Sequence, residues 1–243
     1  VLIHVNIILF ESAEVQLPLS RNDPRARHIL DVLRRERGGT FDAGLIDGPR
    51  GKGTLTAIGE EALTLSFVWD ESPPLPCPIH LLIGLPRPQT ARDILRDVTA
   101  LGVAALHFIR TDRGEASYAN SNLWKSNEWQ ECVITGAAQA FCTRLPEVSH
   151  GRSLAKALGN LPAGATRLVL DNYEAPAALS QFALNTTQPV VLALGAERGW
   201  SAAERTVFKD AGFCVVHLGP RVLRTETACI AAVTLLRSKL GSL

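Results

Sequence analysis

The 243-residue sequence contains no methionine, only two tyrosines and five cysteines, and these shortages set the first limits. The cysteines, Cys77, Cys132, Cys142, Cys214 and Cys229, are scattered, odd in number and set in apolar stretches. That distribution supplies neither a disulfide framework nor a closely spaced zinc pair, and it predicts buried free thiols in a reducing cytosol. The six histidines follow no H-E-x-x-H pattern, so no metal is expected. No run reaches the roughly 18–20 uninterrupted apolar residues of a membrane span. Residues 1–10 lack the basic flank and small-residue cleavage site of a secretory signal, and a cytoplasmic protein without a membrane partner is expected. Methionine is missing from position 1 as well, and the residues before Asn6 read as foreign to the natural chain; nothing functional is drawn from this. One-sided charge is also lacking: at a formal +1, global electrostatics neither announces nor excludes a nucleic-acid partner, and local clusters must decide.

What is present is apolar material, 46% of the residues, enough for a sizeable core. Residues 6–70 read as short strands at 7–10, 40–46, 53–58 and 63–69, broken by Asp47-Gly48-Pro49-Arg50-Gly51 and Gly59-Glu60-Glu61, a spacing that predicts a small β-barrel. One helical patch is expected over 24–37, where Ile29, Leu30, Val32 and Leu33 alternate with Arg25, Arg27, Arg34 and Arg35. Ser72-Pro73-Pro74-Leu75-Pro76-Cys77-Pro78 cannot sit inside a helix or a central strand and reads as a linker. Beyond it, short apolar runs at 79–85, 104–110, 167–170, 190–194 and 213–218 alternate with amphipathic segments at 91–101 and 129–141, the pattern of an α/β domain with a parallel sheet covered on both faces. The last helix, expected over 225–240, is apolar nearly all round and must be central or sealed by a partner subunit. The expected domains are therefore 1–71, a linker at 72–78, and 79–243.

The most informative stretch is 190–204, a strand ending in Leu194-Gly195-Ala196-Glu197-Arg198-Gly199-Trp200 and followed by a helix whose start is marked by Ser201 and Glu204 as a capping box. Gly195 and Gly199 permit close approach of a ligand to the backbone or a positive φ; an ordinary strand-to-helix turn is the competing reading. A second strand ends in Leu218-Gly219, and the turn after it carries Arg221 and Arg224 before the last helix. Two such ends can stand side by side at the carboxyl edge of one sheet, where α/β folds bind ligands. Apolar side chains around exposed backbone groups suit an adenine ring, as in S-adenosylmethionine. Arg221 and Arg224 can pair with a carboxylate or an RNA phosphate, although Arg224 can equally bridge to Glu226 or a helix end. Gly51-Lys52-Gly53-Thr54 has the wrong spacing for a P-loop.

Leu194-Gly-Ala-Glu-Arg-Gly-Trp-Ser-Ala-Ala-Glu204 followed by Leu218-Gly-Pro-Arg-Val-Leu-Arg-Thr-Glu-Thr-Ala228 resembles the paired signature of RsmE-type 16S ribosomal RNA (uracil-N3)-methyltransferases of the SPOUT superfamily. The likeness extends over nearly the whole chain: Arg27-His28-Ile29 with Val32-Leu33-Arg34 resembles the family's PUA-like N-terminal domain, and Leu101-Gly-Val103, Thr111-Asp-Arg113 and Arg144-Leu-Pro-Glu-Val148 resemble its middle section. The resemblance implies an α/β SPOUT-type parallel sheet with a trefoil knot, preceded by a small PUA-like β-barrel, in a homodimer that binds S-adenosylmethionine and methylates ribosomal RNA, with an assembled particle as the expected substrate. Carried over by position, it implies a cofactor pocket of Leu194, Gly195, Glu197, Gly199, Leu218, Gly219, Leu223, Arg224, Thr225 and Ala228, with the strand Leu168-Val-Leu-Asp171, and Leu170 in it, as a third wall.

A uracil N3 is protonated at neutral pH and must lose that proton before it attacks a methyl sulfonium, so catalysis reduces to alignment and help with one proton. Glu226 is the expected proton-handling or positioning group and Arg224 the partner of the uracil oxygen, with Arg113 a further candidate. Glu226 also reads as a first-turn carboxylate favoured by the helix dipole. RNA capture is assigned to Arg21, Arg25, Arg27, His28, Arg34 and Arg35, with Lys52 and Arg221 added; a solvated helix face is the alternative for the cluster. The family usually shows Gly-Pro-Glu-Gly-Gly-Phe where this chain has Gly195-Ala-Glu-Arg-Gly-Trp200, and polar residues of its middle section are replaced here. These departures leave two other readings open, a SPOUT RNA methyltransferase with a different target nucleotide and an RNA-binding or ribosome-assembly protein without catalysis.

Overall fold

A computed structural model describes residues 6–242; the stretch before Asn6 that the sequence reading set apart lies outside the described residues. The chain forms two compact units, one running to Leu75 and adding Ile134–Leu145, the other comprising Pro76–Val133 and continuing from Pro146. Residues 134–145, expected in the second domain, group with the first because Ile134, Ala137, Ala138 and Phe141 form one apolar cluster with Ile7 and Leu9.

In the first unit the strands are β1 (Ile8–Phe10), β2 (Leu19–Ser20), β3 (Thr40–Leu45), β4 (Arg50–Ile58) and β5 (Ala62–Glu71), in the order β1-β3-β4-β5-β2. The β1 and β3 pair is parallel and the other pairs are antiparallel. Because β1 and β2 are free edges, the expected barrel is a curled half-barrel rather than a closed one. Its core is Phe10, Ile29, Phe41, Leu55 and Leu63.

The helix expected over 24–37 is only α1 (Pro24–Arg27), started by Asp23 as N-cap and by Pro24, and continued by one wide turn over His28–Val32 in which the Leu33 N–H donates to the His28 carbonyl at 2.9 Å. Arg34 then takes a left-handed conformation, φ 50°. The segment buries Ala26 and Ile29 but leaves Val32 65% exposed, so it has no continuous apolar stripe to hold a longer helix.

The second unit contains β6 (Cys77–Gly84), α2 (Pro88–Ala100), β7 (Val103–Arg110), α3 (Asn122–Lys125), the start of α4 (Glu128–Gln139), β8 (Glu147–Ser153), α5 (Leu154–Leu158), β9 (Thr166–Leu170), β10 (Ala177–Ala178), β11 (Val190–Leu194), α6 (Ala202–Asp210), β12 (Cys214–His217) and α7 (Thr225–Lys239). All its strand pairs are parallel, in the order β10-β12-β9-β11-β6-β7-β8. Cys77 and Pro78 lie in β6 rather than in a linker; the register shifts between Cys77 and His80, which accommodates a residue without an N–H. On one face Leu82, Val169, Val191 and Ala193 pack with Ala157 and Phe208 from α5 and α6. Their strand neighbours Leu81, Ile83, Leu168 and Leu192 point to the other face and are equally buried. Helix α7 packs against α2, β6 and β11 and buries Cys229, Ala232, Val233 and Leu236, while Ile230, Ala231 and Leu235 stay half covered. No described helix is long and apolar enough to cross a membrane, and no metal-ligand cluster occurs among the described residues.

His107 lies 7% exposed in β7 with its Nδ1 2.8 Å from the Ser149 hydroxyl and its ring stacked near His80 at 6.1 Å. Burial depresses its pKa below the ordinary histidine value; the nearby Glu147 carboxylate opposes this, while His80 and Arg152 reinforce it. His80 is lowered by burial in the same way. A base whose folded pKa is depressed binds its proton more readily when unfolded, so stability is full above the unfolded value of about 6.5 and falls as pH drops below it. Urea midpoints measured at pH 7.5, 6.5 and 5.5 are expected to decline, and to decline less in His107→Gln. An equal decline in both proteins would remove His107 as the cause.

Candidate active site

The strand order puts β9 between β12 and β11, so the loops leaving their carboxyl ends are neighbours on one edge of the sheet. A cleft of about 510 Å³ opens there, lined by Leu170–Tyr173 after β9, Leu194–Trp200 after β11, Leu218 and residues 221–224 after β12, the first turn of α7, and Arg87 and Thr90 at the start of α2. Its size is that of a small-molecule site.

The β11 loop is a tight fold of main chain. A Cβ on Gly195 would stand 2.8 Å from the Cα of Gly199, so residue 195 can carry no side chain, and Gly199 has φ +63°. Trp200 follows, buried to 1% exposure, with its indole N–H donating to the Leu170 carbonyl at 3.1 Å and its ring edge-on to Phe208. This ties the β11 loop to the end of β9. The expected capping box is present: the Glu204 N–H donates to Ser201 Oγ at 3.1 Å and the Ser201 N–H to Glu204 Oε2 at 2.8 Å. Glu204 Oε1 also accepts from the Asp112 N–H at 2.9 Å, which draws in the loop after β7.

The β9 end is ordered by Asp171, 7% exposed. Its Oδ1 accepts from the N–H groups of Tyr173 and Glu174 at 2.7 and 3.3 Å, and its Oδ2 accepts from Arg205 Nε at 2.6 Å. That bond is the leading cause of the raised Arg205 pKa. At the other rim the Arg87 N–H donates to Glu197 Oε1 at 3.1 Å. Helix α7 begins with Arg224 as N-cap and no side chain caps it, so its first amides are left for a ligand at the cleft.

Of the residues expected to hold a cofactor, Leu170, Leu194, Gly195, Glu197, Gly199, Leu218, Leu223, Arg224, Thr225 and Ala228 line this cleft, and Gly219 does not; its φ is +110° and its N–H donates to His217 Nδ1 at 2.9 Å, shaping the turn behind Leu218. Glu226 lines the cleft, as does Arg221. Arg113 stands outside the lining and donates from Nη1 to the Arg198 carbonyl at 3.2 Å. Asp171 lines the cleft at the end of the strand expected as its third wall, whereas Asn172, Tyr173, Arg205, Arg87 and Thr90 were not singled out from sequence.

The expected RNA-contact residues of the first unit sort differently. Arg25 is committed internally, with Nη2 2.7 Å from both Glu14 Oε1 and Asp23 Oδ2 and its guanidinium 5.0 Å from the Phe10 ring centre. Lys52 pairs with Asp42 at 2.5 Å, and Arg35 Nε is buried. The side chains of Arg21 and Arg27 donate to the Gly59 and Asn22 carbonyls; they and Arg34 are exposed, and His28 is half-buried.

Residues 73–237 match the family model of the RNA methyltransferase domain. Ribosomal RNA small subunit methyltransferase E of Treponema pallidum is 37% identical over 94% of this chain and 89% of its own length. The chain belongs to that methyltransferase family. The Borreliella burgdorferi ribosomal RNA small subunit methyltransferase E 1 is 28% identical over 97% of this chain and 99% of its own. The fold is shared with a crystal structure of the Neisseria gonorrhoeae family member bound to S-adenosyl methionine, at TM-score 0.76 and 24% identity, covering 96% of this chain and 97% of that one.

In this member of the family the floor of the cleft is set by Gly195. Gly195→Ala is expected to lower the unfolding free energy by about 1–3 kcal/mol, because the methyl group must displace backbone rather than a flexible side chain. Thermal melting checks it, and an unchanged midpoint would show that the loop opens at little cost.

Proposed function

We propose that this chain transfers the methyl group of S-adenosylmethionine to N3 of a uridine in small-subunit 16S ribosomal RNA. The observation that carries the proposal is the meeting of three strand-end loops and an uncapped helix start around one cleft, in a chain that belongs to a family of ribosomal RNA methyltransferases. The residues suit the donor. Leu170, Leu194, Leu218, Leu223 and Ala228 offer an apolar slot for adenine, and the main chain of residues 195–199 offers directional hydrogen bonds. The amides opening α7 favour its carboxylate. When bound it supplies a methyl group on a positively charged sulfur.

The chain's own task is to position the uracil and take one proton. Glu226, half-buried in the first turn of α7, is assigned to accept the N3 proton as the N–C bond forms and the C–S bond breaks. Arg224, exposed on the same wall, is assigned to the uracil oxygen that gains negative charge. Arg113 acts through the Arg198 carbonyl, as a positioning residue for the loop.

RNA capture by the first unit falls to Arg21, Arg27 and Arg34, since Arg25 is consumed by Glu14 and Asp23. The half-covered side of α7 and the 81% exposed Val222 support a homodimer. The trefoil knot is supported by connectivity: β12 lies beyond β9, yet α7 packs on β6 and β11, so the chain recrosses the sheet end to reach them. An assembled small-subunit particle in the cytoplasm is the proposed substrate setting.

Calorimetry with S-adenosylmethionine should give one site per chain; no heat would leave an RNA-binding protein without catalysis. With Glu226→Gln, single-turnover methylation is expected to slow by roughly 10²-fold or more, the usual scale for a positioned proton acceptor. An unchanged rate removes Glu226 from the mechanism. Replacing Arg27 and Arg34 together should weaken RNA binding and flatten its salt dependence by roughly 0.7–0.9 in log–log slope per lost phosphate contact; an identical slope contradicts the assignment.

A further inference from the structure

Tyr173 is a large aromatic side chain left 85% exposed, and it stands on the lining of the cleft rather than on open surface. It is also held in place. Its N–H is tied to Asp171 Oδ1 at 2.7 Å, and Arg205, fixed by Asp171 Oδ2 at 2.6 Å and 3.5 Å from Glu174 Oε1, sets its guanidinium carbon 5.7 Å from the ring centre. A ring with a guanidinium at one side and no cover on the other is a preorganised stacking surface, and any flat π-face can occupy it. The same cleft carries the exposed guanidiniums of Arg198, Arg221 and Arg224, and no ion pair among the described residues engages these three. An exposed aromatic surrounded by uncommitted cations matches an unstacked nucleotide, whose base wants a ring and whose phosphates want positive charge.

We propose that Tyr173 is a stacking platform for a nucleobase of the RNA substrate at the mouth of the cleft; the inference rests on the methyltransferase reading above and adds a residue that selects substrate. Its exposure argues for a base brought by RNA over the adenine of the methyl donor, since a donor site needs a dry slot, and the leucines deeper in the cleft provide one. The phenol oxygen is not required for stacking. Phenylalanine should therefore substitute and alanine should not.

The test compares the full-length protein with Tyr173→Phe and Tyr173→Ala in three measurements: calorimetric binding of S-adenosylmethionine, binding of a single-stranded oligouridylate, and methyl transfer to small ribosomal subunits lacking the modification. Alanine is expected to weaken oligouridylate binding about tenfold and raise KM for the subunits by a similar factor, with donor affinity and melting temperature unchanged and phenylalanine close to the parent. Weakened donor binding in the alanine variant would assign the ring to the donor's adenine and overturn the proposal, as would unchanged RNA binding and KM. Should the parent protein transfer no methyl group while its oligouridylate binding still depends on the ring, the platform stands and the methyltransferase reading falls.

Discussion

The backbone of Gly195 lies against that of Gly199, and this contact decides the rest of the site. A loop folded so tightly presents main chain to the cleft, and it points the next residue, Trp200, inward, where the indole seals the end of β9 and meets Phe208 of α6. Ser201 and Glu204 then start α6 immediately, and the second oxygen of Glu204 reaches the loop after β7. One turn thus organises three strand ends and a helix. A buried indole with its N–H satisfied and a carboxylate shared between two backbone amides are worth most when every partner is in place, because an unsatisfied buried polar group costs on the order of 1–3 kcal/mol. The cleft is therefore formed by packing before any ligand arrives.

Charge in the two units divides into groups that build and groups that remain available. Arg25 and Arg205 each sit between two carboxylates and beside an aromatic ring, and both have their pKa raised by those carboxylates. Their positive charge is spent on holding a strand entry and a cleft wall. Arg198, Arg221 and Arg224 around the cleft, and Arg34 in the first unit, are exposed. Phosphate recognition depends on guanidiniums that give up little to meet a ligand, so counting arginines in a sequence overstates a binding surface by those already committed.

The parallel sheet was legible because fully buried strands write continuous apolar runs: residues 190–194 coincide with β11, and the other four runs differ from their strands by two residues or fewer at each end. Edge strand β8, Glu-Val-Ser-His-Gly-Arg-Ser, has no such run, since a strand with one free edge and half-exposed side chains needs no apolar alternation. The arginine-rich segment over 24–37 misled for the opposite reason, having helix-forming residues without a common face to bury. The capping box and the two Leu-Gly strand ends were readable because each is local. Asp171 was placed only as the end of a wall strand, and its partners Tyr173 and Arg205 were not found, because their meeting depends on β9 lying beside β11 and β12, and no local pattern encodes strand order.

At position 198 the family's usual glycine is replaced by arginine, which would matter if the backbone needed positive φ or if the side chain pointed into the slot. Gly199 takes the positive φ, and Arg198 is absent from the non-glycine residues with that conformation among those described. Its side chain is exposed at the rim, while its carbonyl accepts from Arg113. A long cationic side chain thus stands at the mouth, while the left-handed turn of the floor is carried by Gly199, and the cleft measures about 510 Å³. The substitution acts on what approaches the site more than on what fills it, and an anionic polynucleotide is the partner that a rim guanidinium attracts.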